Sequence, residues 1–215
     1  MEKDREKTPL ALLEQVCGAL NRRQIQFSVC GGLAASFYRD RPRLTNDIDI
    51  AVAGRSAEEA KTAACEILES LDLKTSFGWI AGAGNSLPSP IALVIGQIGS
   101  ETFDGSVDLL LPVFPWIEKA VSRGQLNRID FGFSRLPTVT PEDLIIAKSF
   151  ALGIEPNRYT DLDDIQAVCR SKTELDILYL VTEFERHVLT VPESLDPVLP
   201  NALRRTVKAN RRRNS

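Results

Sequence analysis

Residues 29–52 read VCGGLAASFYRDRPRLTNDIDIAV, and the succession of patterns in them decides the fold. The apolar run IQFSVC (25–30) predicts a strand that enters Gly31-Gly32. LAASFY (33–38) has helical character, RDRPRL is a polar connection broken by Pro42, and NDIDIAV (46–52) alternates as a second strand. The order is strand, glycine turn, helix, strand. Within the second strand Asp47 and Asp49 stand two residues apart, so their carboxylates share one face while Ile48 and Ile50 turn to the other. Two carboxylates so placed repel unless a cation or a proton lies between them. The pair reads either as a divalent-metal site at a strand end or as a solvent-facing strand with two acids.

Asp108 interrupts the otherwise apolar FDGSVDLLL (103–111) and is the candidate to lie beside that pair, while Asp104, next to Gly105, reads as part of a turn. Three carboxylates on neighbouring strands can hold two Mg²⁺ ions that bridge a triphosphate and an attacking hydroxyl, which is the logic of phosphoryl and nucleotidyl transfer. Gly31-Gly32 supplies the complementary half: a tight strand-to-helix turn with backbone N–H groups at a helix N-terminus, aimed at an anion. Most Gly-Gly pairs are only turns. This one follows a strand directly and precedes the acids by 15 residues, so one short unit brings both to the same triphosphate.

Working outward, residues 10–22 space Leu10, Leu13, Val16, Cys17 and Leu20 as a helix, and Ser56 caps an amphipathic helix beginning AEEAKTAACEILESL, with Glu59 three residues on. TSFGWI (75–80), IALVIGQI (91–98) and VDLLL read as strands around a Gly/Pro/Ser loop at 81–90; Trp116 to Val121 reads as a short helix and 128–139 as edge strands. At Thr140 the pattern changes to an N-cap, Pro141 at the first helical position and acids in the first turn, and helices continue to about 190. The expected organisation is an α/β domain over 1–139, a helical domain over 140–190 and a basic C-terminal tail over 191–215.

Composition limits the function classes. The chain has 215 residues, 43% hydrophobic and 26% charged, in the range of globular proteins and outside that of disordered or membrane-spanning chains. Its net charge is −3, yet residues 201–215 carry Arg204, Arg205, Lys208, Arg211, Arg212 and Arg213 with no acid, which leaves −9 for the preceding 200 residues. The tail reads as solvated and disordered, or as a contact for RNA or DNA backbone. Cys17, Cys30, Cys65 and Cys169 are scattered, without a CxxC pair, and read as small apolar residues. With His187 the sole histidine, Ser-His and Cys-His catalysis is disfavoured, and an enzyme built on this chain must use carboxylates, lysine or metal. Trp79 and Trp116 read as core or interface. No signal peptide or membrane anchor opens the chain, which makes the cytoplasm the expected location and excludes a membrane partner.

The residues Gly31-Gly32, Arg43, Thr45, Asp47 and Asp49, with Asp108 as third acid, resemble the polymerase-beta-like nucleotidyltransferase superfamily, and within it the bacterial group of abortive-infection AbiEii-type toxins. Thr140-Pro141-Glu142-Asp143-Leu144 with Lys148 is similar to that group's helical motif. RYTDLDDI (158–165) is similar to its Arg-x-Lys-Asp-x-x-Asp-Ile, with Arg158, Asp161 and Asp164 in register and Thr160 in place of the lysine. The resemblance covers roughly residues 25–170, with 70–135 matched through Asp108, and the FYRDRPR connection departs from the usual spacing, which leaves Arg39 and Arg41 without a role.

Read without the resemblance, Lys148 is flanked by Leu144, Ile145, Ala151 and Leu152 and so projects from an apolar stripe; it must snorkel or meet an anion, either a nucleotide phosphate or the carboxylates of Asp161 and Asp164. Those two acids orient Lys148 or bind substrate, or Asp161 serves the helix N-terminus; Arg158 meets phosphate or an acid.

The resulting expectation is an α/β polymerase-beta-like nucleotidyltransferase fold with a small mixed sheet, followed by a helical domain that closes the cleft. Asp47, Asp49 and Asp108 would hold two Mg²⁺ (or Mn²⁺). Gly31, Gly32, Arg43, Thr45, Arg158, Asp161 and Asp164 would bind an NTP, and Lys148 would act with the acids. A nucleoside monophosphate would pass to a hydroxyl of RNA or tRNA, a protein or a small molecule, with a toxin role and a cognate antitoxin implied by the resemblance. The alternative is a non-catalytic nucleotide-binding or antitoxin-like regulatory module of the same fold.

Overall fold

The computed structural model describes residues 8–79, 91–97, 105–171 and 174–214. The loop read at 81–90 and Asp104 lie outside them. The chain divides into two units, one of residues 1–33 and 44–139, the other of residues 34–43 and 140–215.

The first unit opens with α1 (Pro9–Arg22), capped by Thr8 and started by Pro9 at a position where no N–H is needed. β1 (Phe27–Val29) follows and feeds the glycines, where α2 (Gly31–Tyr38) begins. β2 (Ile48–Val52) is the alternating strand, and α3 (Ala57–Glu69) starts where Ser56 accepts from the Glu59 N–H at 3.1 Å. β3 (Lys74–Trp79), β4 (Ile91–Gln97) and β5 (Ser106–Leu110) complete a five-stranded sheet in the order β1-β2-β5-β4-β3, in which β2 and β5 run parallel and every other pair antiparallel. α4 (Ile117–Gly124) and the short pair β6 (Arg128–Asp130) and β7 (Arg135–Pro137) end the unit.

Alternation along the strands makes two unlike faces. Phe27, Val29, Ile48, Ile50, Val107, Leu109 and Val94 are buried in one core with Leu13, Val16 and Leu20 of α1 and Ile67 and Leu68 of α3. The opposite face carries Ser28, Ala51, Asp49 and Asp108, and α4 covers its β1–β2 end. Gly124 is what lets α4 approach: a Cβ there would fall 2.1 Å from Ser28 Oγ and 3.0 Å from the Thr138 carbonyl oxygen.

The second unit is helical: α5 (Pro141–Ile154), α6 (Tyr159–Arg170), α7 (Ile177–Arg186) and α8 (Asn201–Asn214), with a 3-10 turn at Glu193–Leu195. Thr140 caps α5, and two acids of its first turn reach beyond it. Glu142 accepts from the Asp176 N–H at 2.8 Å, and Asp143 accepts from the Tyr179 hydroxyl, so both fasten the start of α7.

Residues 201–214 correct the expectation of a solvated tail. They form α8, whose Leu203, Thr206, Val207 and Asn210 are buried, and Asn210 donates to the carbonyls of Phe184 and Leu189 at 2.8 and 2.9 Å. The face of Leu203 and Val207 that a helix would form extends to an i, i+3, i+4, i+7 stripe with Thr206 and Asn210, and two of the cations are themselves structural: Arg204 donates to the Leu199 carbonyl and Arg211 to Asp196 and the Val191 carbonyl. The cysteines are all free; burial pushes the Cys17 thiol up to about 12 and that of Cys169 to about 11, values at which neither reacts as thiolate. No helix among the described residues is long and apolar enough to cross a membrane.

Candidate functional site

Asp49 on β2 is the register partner of Asp108 on β5. Side chains at paired positions of a parallel ladder leave the sheet on the same side, so the two carboxylates are neighbours. Asp47 is exposed and lies one residue before β2. Ser106 joins it to the group: its hydroxyl donates to Asp108 Oδ1 at 2.8 Å and lies 3.3 Å from Asp47 Oδ1. Burial pushes the Asp108 carboxyl above its ordinary value; the Ser106 hydrogen bond works against that rise, and the negative charge of Asp47 adds to it.

Gly31 meets the same group from the other side. Its φ of +60° lies in the left-handed region, and a Cβ on it would fall 1.8 Å from Asp49 Oδ2. The first residue of α2 therefore packs its bare α-carbon against the Asp49 carboxyl. The Cys30 N–H, one residue earlier, donates to the Asp49 carbonyl at 2.9 Å, and Gly32 is buried beside Gly31. Thr45 donates through its hydroxyl to the Asp47 carbonyl at 3.4 Å. Gly31, Gly32, Thr45, Asp47, Asp49 and Asp108 thus belong to one end of one sheet.

The side chains gathered here present only oxygen donors, the set suited to Mg²⁺ or Mn²⁺. Among the described residues no three Asp, Glu, His or Cys side chains are gathered closely enough to enclose an ion as they stand. The fit to a hard cation therefore rests on donor chemistry: two carboxylates spanned by a single hydroxyl, with a third in register beside them.

The remaining candidates assemble in the helical unit around Asp164, whose side chain is fully buried. Arg43 forks onto it, Nε to Oδ1 and Nη2 to Oδ2, both at 2.9 Å. Arg39 donates to Oδ1 at 2.7 Å and to Asp163 at 2.7 Å, and Lys148 Nζ lies 2.8 Å from Oδ2. Lys148 also donates to Asp161 at 2.6 Å, and Asp161 accepts from Arg158. Burial alone would raise the Asp164 carboxyl, but the hydrogen bond from Arg43 and the charge and hydrogen bond of Lys148 outweigh it and hold the group below its usual range.

Of the two anions offered to Lys148 by the sequence, the carboxylates are the ones it meets here, and the interior position seen in its apolar flanks is real: it is 6% exposed. Arg39, without a role in the sequence reading, is a member of this network. No single-sequence signal announced it, since its partner lies 125 residues away. Ser106 was also missed, although its position two residues before Asp108 on a strand places both on one face. Trp116 is buried as expected, whereas Trp79 is 66% exposed.

Neither a protein-family profile nor a curated protein matches the sequence. Its architecture does match solved structures. The antibiotic-resistance factor ANT(2'')-Ia, determined in solution, aligns over 95% of this chain and 92% of its own with a TM-score of 0.53 at 13% identity. The crystal structure of ANT(2'')-Ia in complex with adenylyl-2''-tobramycin aligns over 83% and 98%, also with a TM-score of 0.53 at 13% identity. The lincosamide antibiotic adenylyltransferase LnuA with lincomycin bound aligns over 76% and 97%, with a TM-score of 0.46 at 13% identity. The fold is accordingly α/β, of the nucleotidyltransferase kind, with a small mixed sheet followed by helices.

Proposed function

We propose that the protein is a metal-dependent nucleotidyltransferase that moves a nucleoside monophosphate from an NTP to an acceptor hydroxyl. The observation that carries this reading is the pairing of Asp49 with Asp108, with Ser106 bridging Asp108 to Asp47, at the sheet end where Gly31 turns into α2. A fold shared with nucleotidyltransferases supports it.

Asp47, Asp49 and Asp108 are the residues that would hold Mg²⁺ or Mn²⁺, which when bound neutralises triphosphate charge and lowers the pKa of the attacking hydroxyl. Asp108, in register beside Asp49, is the carboxylate assigned to help take the hydroxyl proton. The N–H groups of Gly31 and Gly32 and the hydroxyl of Thr45 serve the phosphates. The resemblance assigns Arg43, Arg158, Asp161 and Asp164 to the nucleotide; within the helical unit Asp161 and Asp164 hold Lys148 and Arg43, and Arg158 has nearly half of its side chain exposed. The products are the acceptor's phosphodiester and pyrophosphate.

The acceptor class follows less from this site than from resemblance: RNA or tRNA, a protein hydroxyl, or a small molecule, in a toxin of the AbiEii type restrained by an antitoxin. ANT(2'')-Ia in complex with adenylyl-2''-tobramycin is a neighbour in fold and makes a small-molecule hydroxyl the first acceptor to try. Incubation with each labelled NTP, Mg²⁺ and a cell extract identifies the fraction that becomes labelled. Asp47→Ala should abolish that labelling while leaving the melting temperature within about 1–2 °C, because an exposed surface carboxylate contributes little to the core. Labelling retained in that variant overturns the proposal.

A further inference from the structure

Ser106 is the first residue of β5 and pairs with Gln97 of β4. The parallel register of β2 and β5, Ile48 with Val107 and Asp49 with Asp108, sets Ser106 alongside Asp47. Strand alternation then puts the Ser106 and Asp108 side chains on one face, two residues apart. Its oxygen is 2.8 Å from Asp108 Oδ1 and 3.3 Å from Asp47 Oδ1. A hydroxyl has one hydrogen, and the shorter contact takes it, so Asp108 is the acceptor.

Two carboxylates this close would swing apart by mutual repulsion, since an aspartate side chain turns about two torsions. A single compact donor that fixes one oxygen of Asp108 restrains the turning of that carboxylate. It also stands between that carboxylate and Asp47 as a neutral spacer. The donor must be a short hydroxyl: alanine removes it, and a longer amide or a cation would fill or neutralise the gap.

We infer that Ser106 is a positioning residue that fixes the Asp108 carboxylate, beside Asp47, for the uptake of a divalent cation. This rests on the metal-dependent reading above and adds to it a residue outside the carboxylate set. Partners that orient metal-ligating groups by hydrogen bonding typically contribute roughly 10–100-fold to metal affinity, and that is the size of effect expected here.

The experiment measures Mn²⁺ binding directly, by the loss of the free-ion paramagnetic resonance signal, in the full chain without nucleotide. The wild type, Ser106→Ala and Ser106→Thr are compared, with far-UV circular dichroism and metal-free melting as controls. Ser106→Ala should weaken Mn²⁺ by at least tenfold with an unchanged metal-free melting temperature. Ser106→Thr, which keeps the hydroxyl on a β-favouring residue, should stay within about threefold of wild type by the same outer-shell scale. In turnover, saturating Mn²⁺ should restore the kcat of Ser106→Ala while its metal requirement stays raised. Equal Mn²⁺ affinity in Ser106→Ala and wild type overturns the inference and leaves the enzymatic proposal standing. A folded Ser106→Thr that loses the metal also overturns it. A wild type that takes up no Mn²⁺ removes the metal reading itself, and the inference with it.

Discussion

At the scale of single residues, the firmest geometric constraint is the contact between a residue without a side chain and one with a charged side chain. Gly31 is held at φ +60°, a backbone state that costs an L-residue about 1–2 kcal/mol. In addition, its missing Cβ is the space that Asp49 Oδ2 occupies. Gly31→Ala should therefore be a double lesion. Its melting temperature should drop by several degrees, and its transfer activity should fall far more than that loss of stability explains, because the displaced group is the Asp49 carboxyl. Gly132, also at positive φ but with nothing within 4 Å of a Cβ, is the control: Gly132→Ala should carry the backbone cost and keep full activity. Equal loss of activity in the two variants would sever the link between Gly31 and Asp49.

At the scale of elements, local patterns in the chain specify the pieces and long-range packing specifies their pairing. The strand, glycine turn, helix and strand of residues 25–52 were legible because period-2 alternation and glycine placement are local signals, and so was the cap of α5 at Thr140. The direction and register of strand pairing were not legible. Asp108 was expected beside Asp47 and Asp49, as an acid in an apolar run and as the third acid of the resemblance, but that β2 and β5 run parallel, bringing Asp49 into register with it, depends on packing across nearly 60 residues. The same limit hid what the TPEDL motif does. Its Glu142 and Asp143 looked like favourable charges in a first turn, yet both are buried and both hold α7. Asp143→Ala, which removes the carboxylate that accepts from the Tyr179 hydroxyl, should cost about 1–3 kcal/mol, and Tyr179→Phe about 1 kcal/mol. Because the two act through one bond, the double variant should fall short of additivity by about 1 kcal/mol in a denaturant-melt cycle. Full additivity would place the energy of Asp143 elsewhere, in its bond with Thr140.

Over the whole molecule, the two groups of acids respond to pH with opposite sign. Asp164 is held below its ordinary value by Arg43 and Lys148 against the cost of its burial, so the folded chain releases its proton more readily than the unfolded one. Its contribution is complete above the ordinary aspartate value of about 3.9 and is lost as pH falls through the lower folded value. Asp196, lowered by the hydrogen bond from Arg211, adds to the same acid limb. Asp108 is raised, chiefly by burial and further by Asp47. The folded chain binds its proton more tightly than the unfolded one, so stability falls as pH rises from the ordinary aspartate range through that raised value. In metal-free buffer, Asp108→Asn should therefore gain stability over wild type above the raised value and lose the advantage below about 3.9. Asp164→Asn should be less stable than wild type at neutral pH, since it leaves Arg39, Arg43 and Lys148 converging on a neutral amide, and the gap should close on the acid side. Urea melts at half-unit steps from pH 3 to 8 give both curves. Added Mg²⁺ then separates the two acids further: it should stabilise the wild type at neutral pH and do nothing for Asp108→Asn, while Asp164→Asn keeps the response. A metal response that survives in Asp108→Asn and vanishes in Asp164→Asn would move the cation to the helical unit.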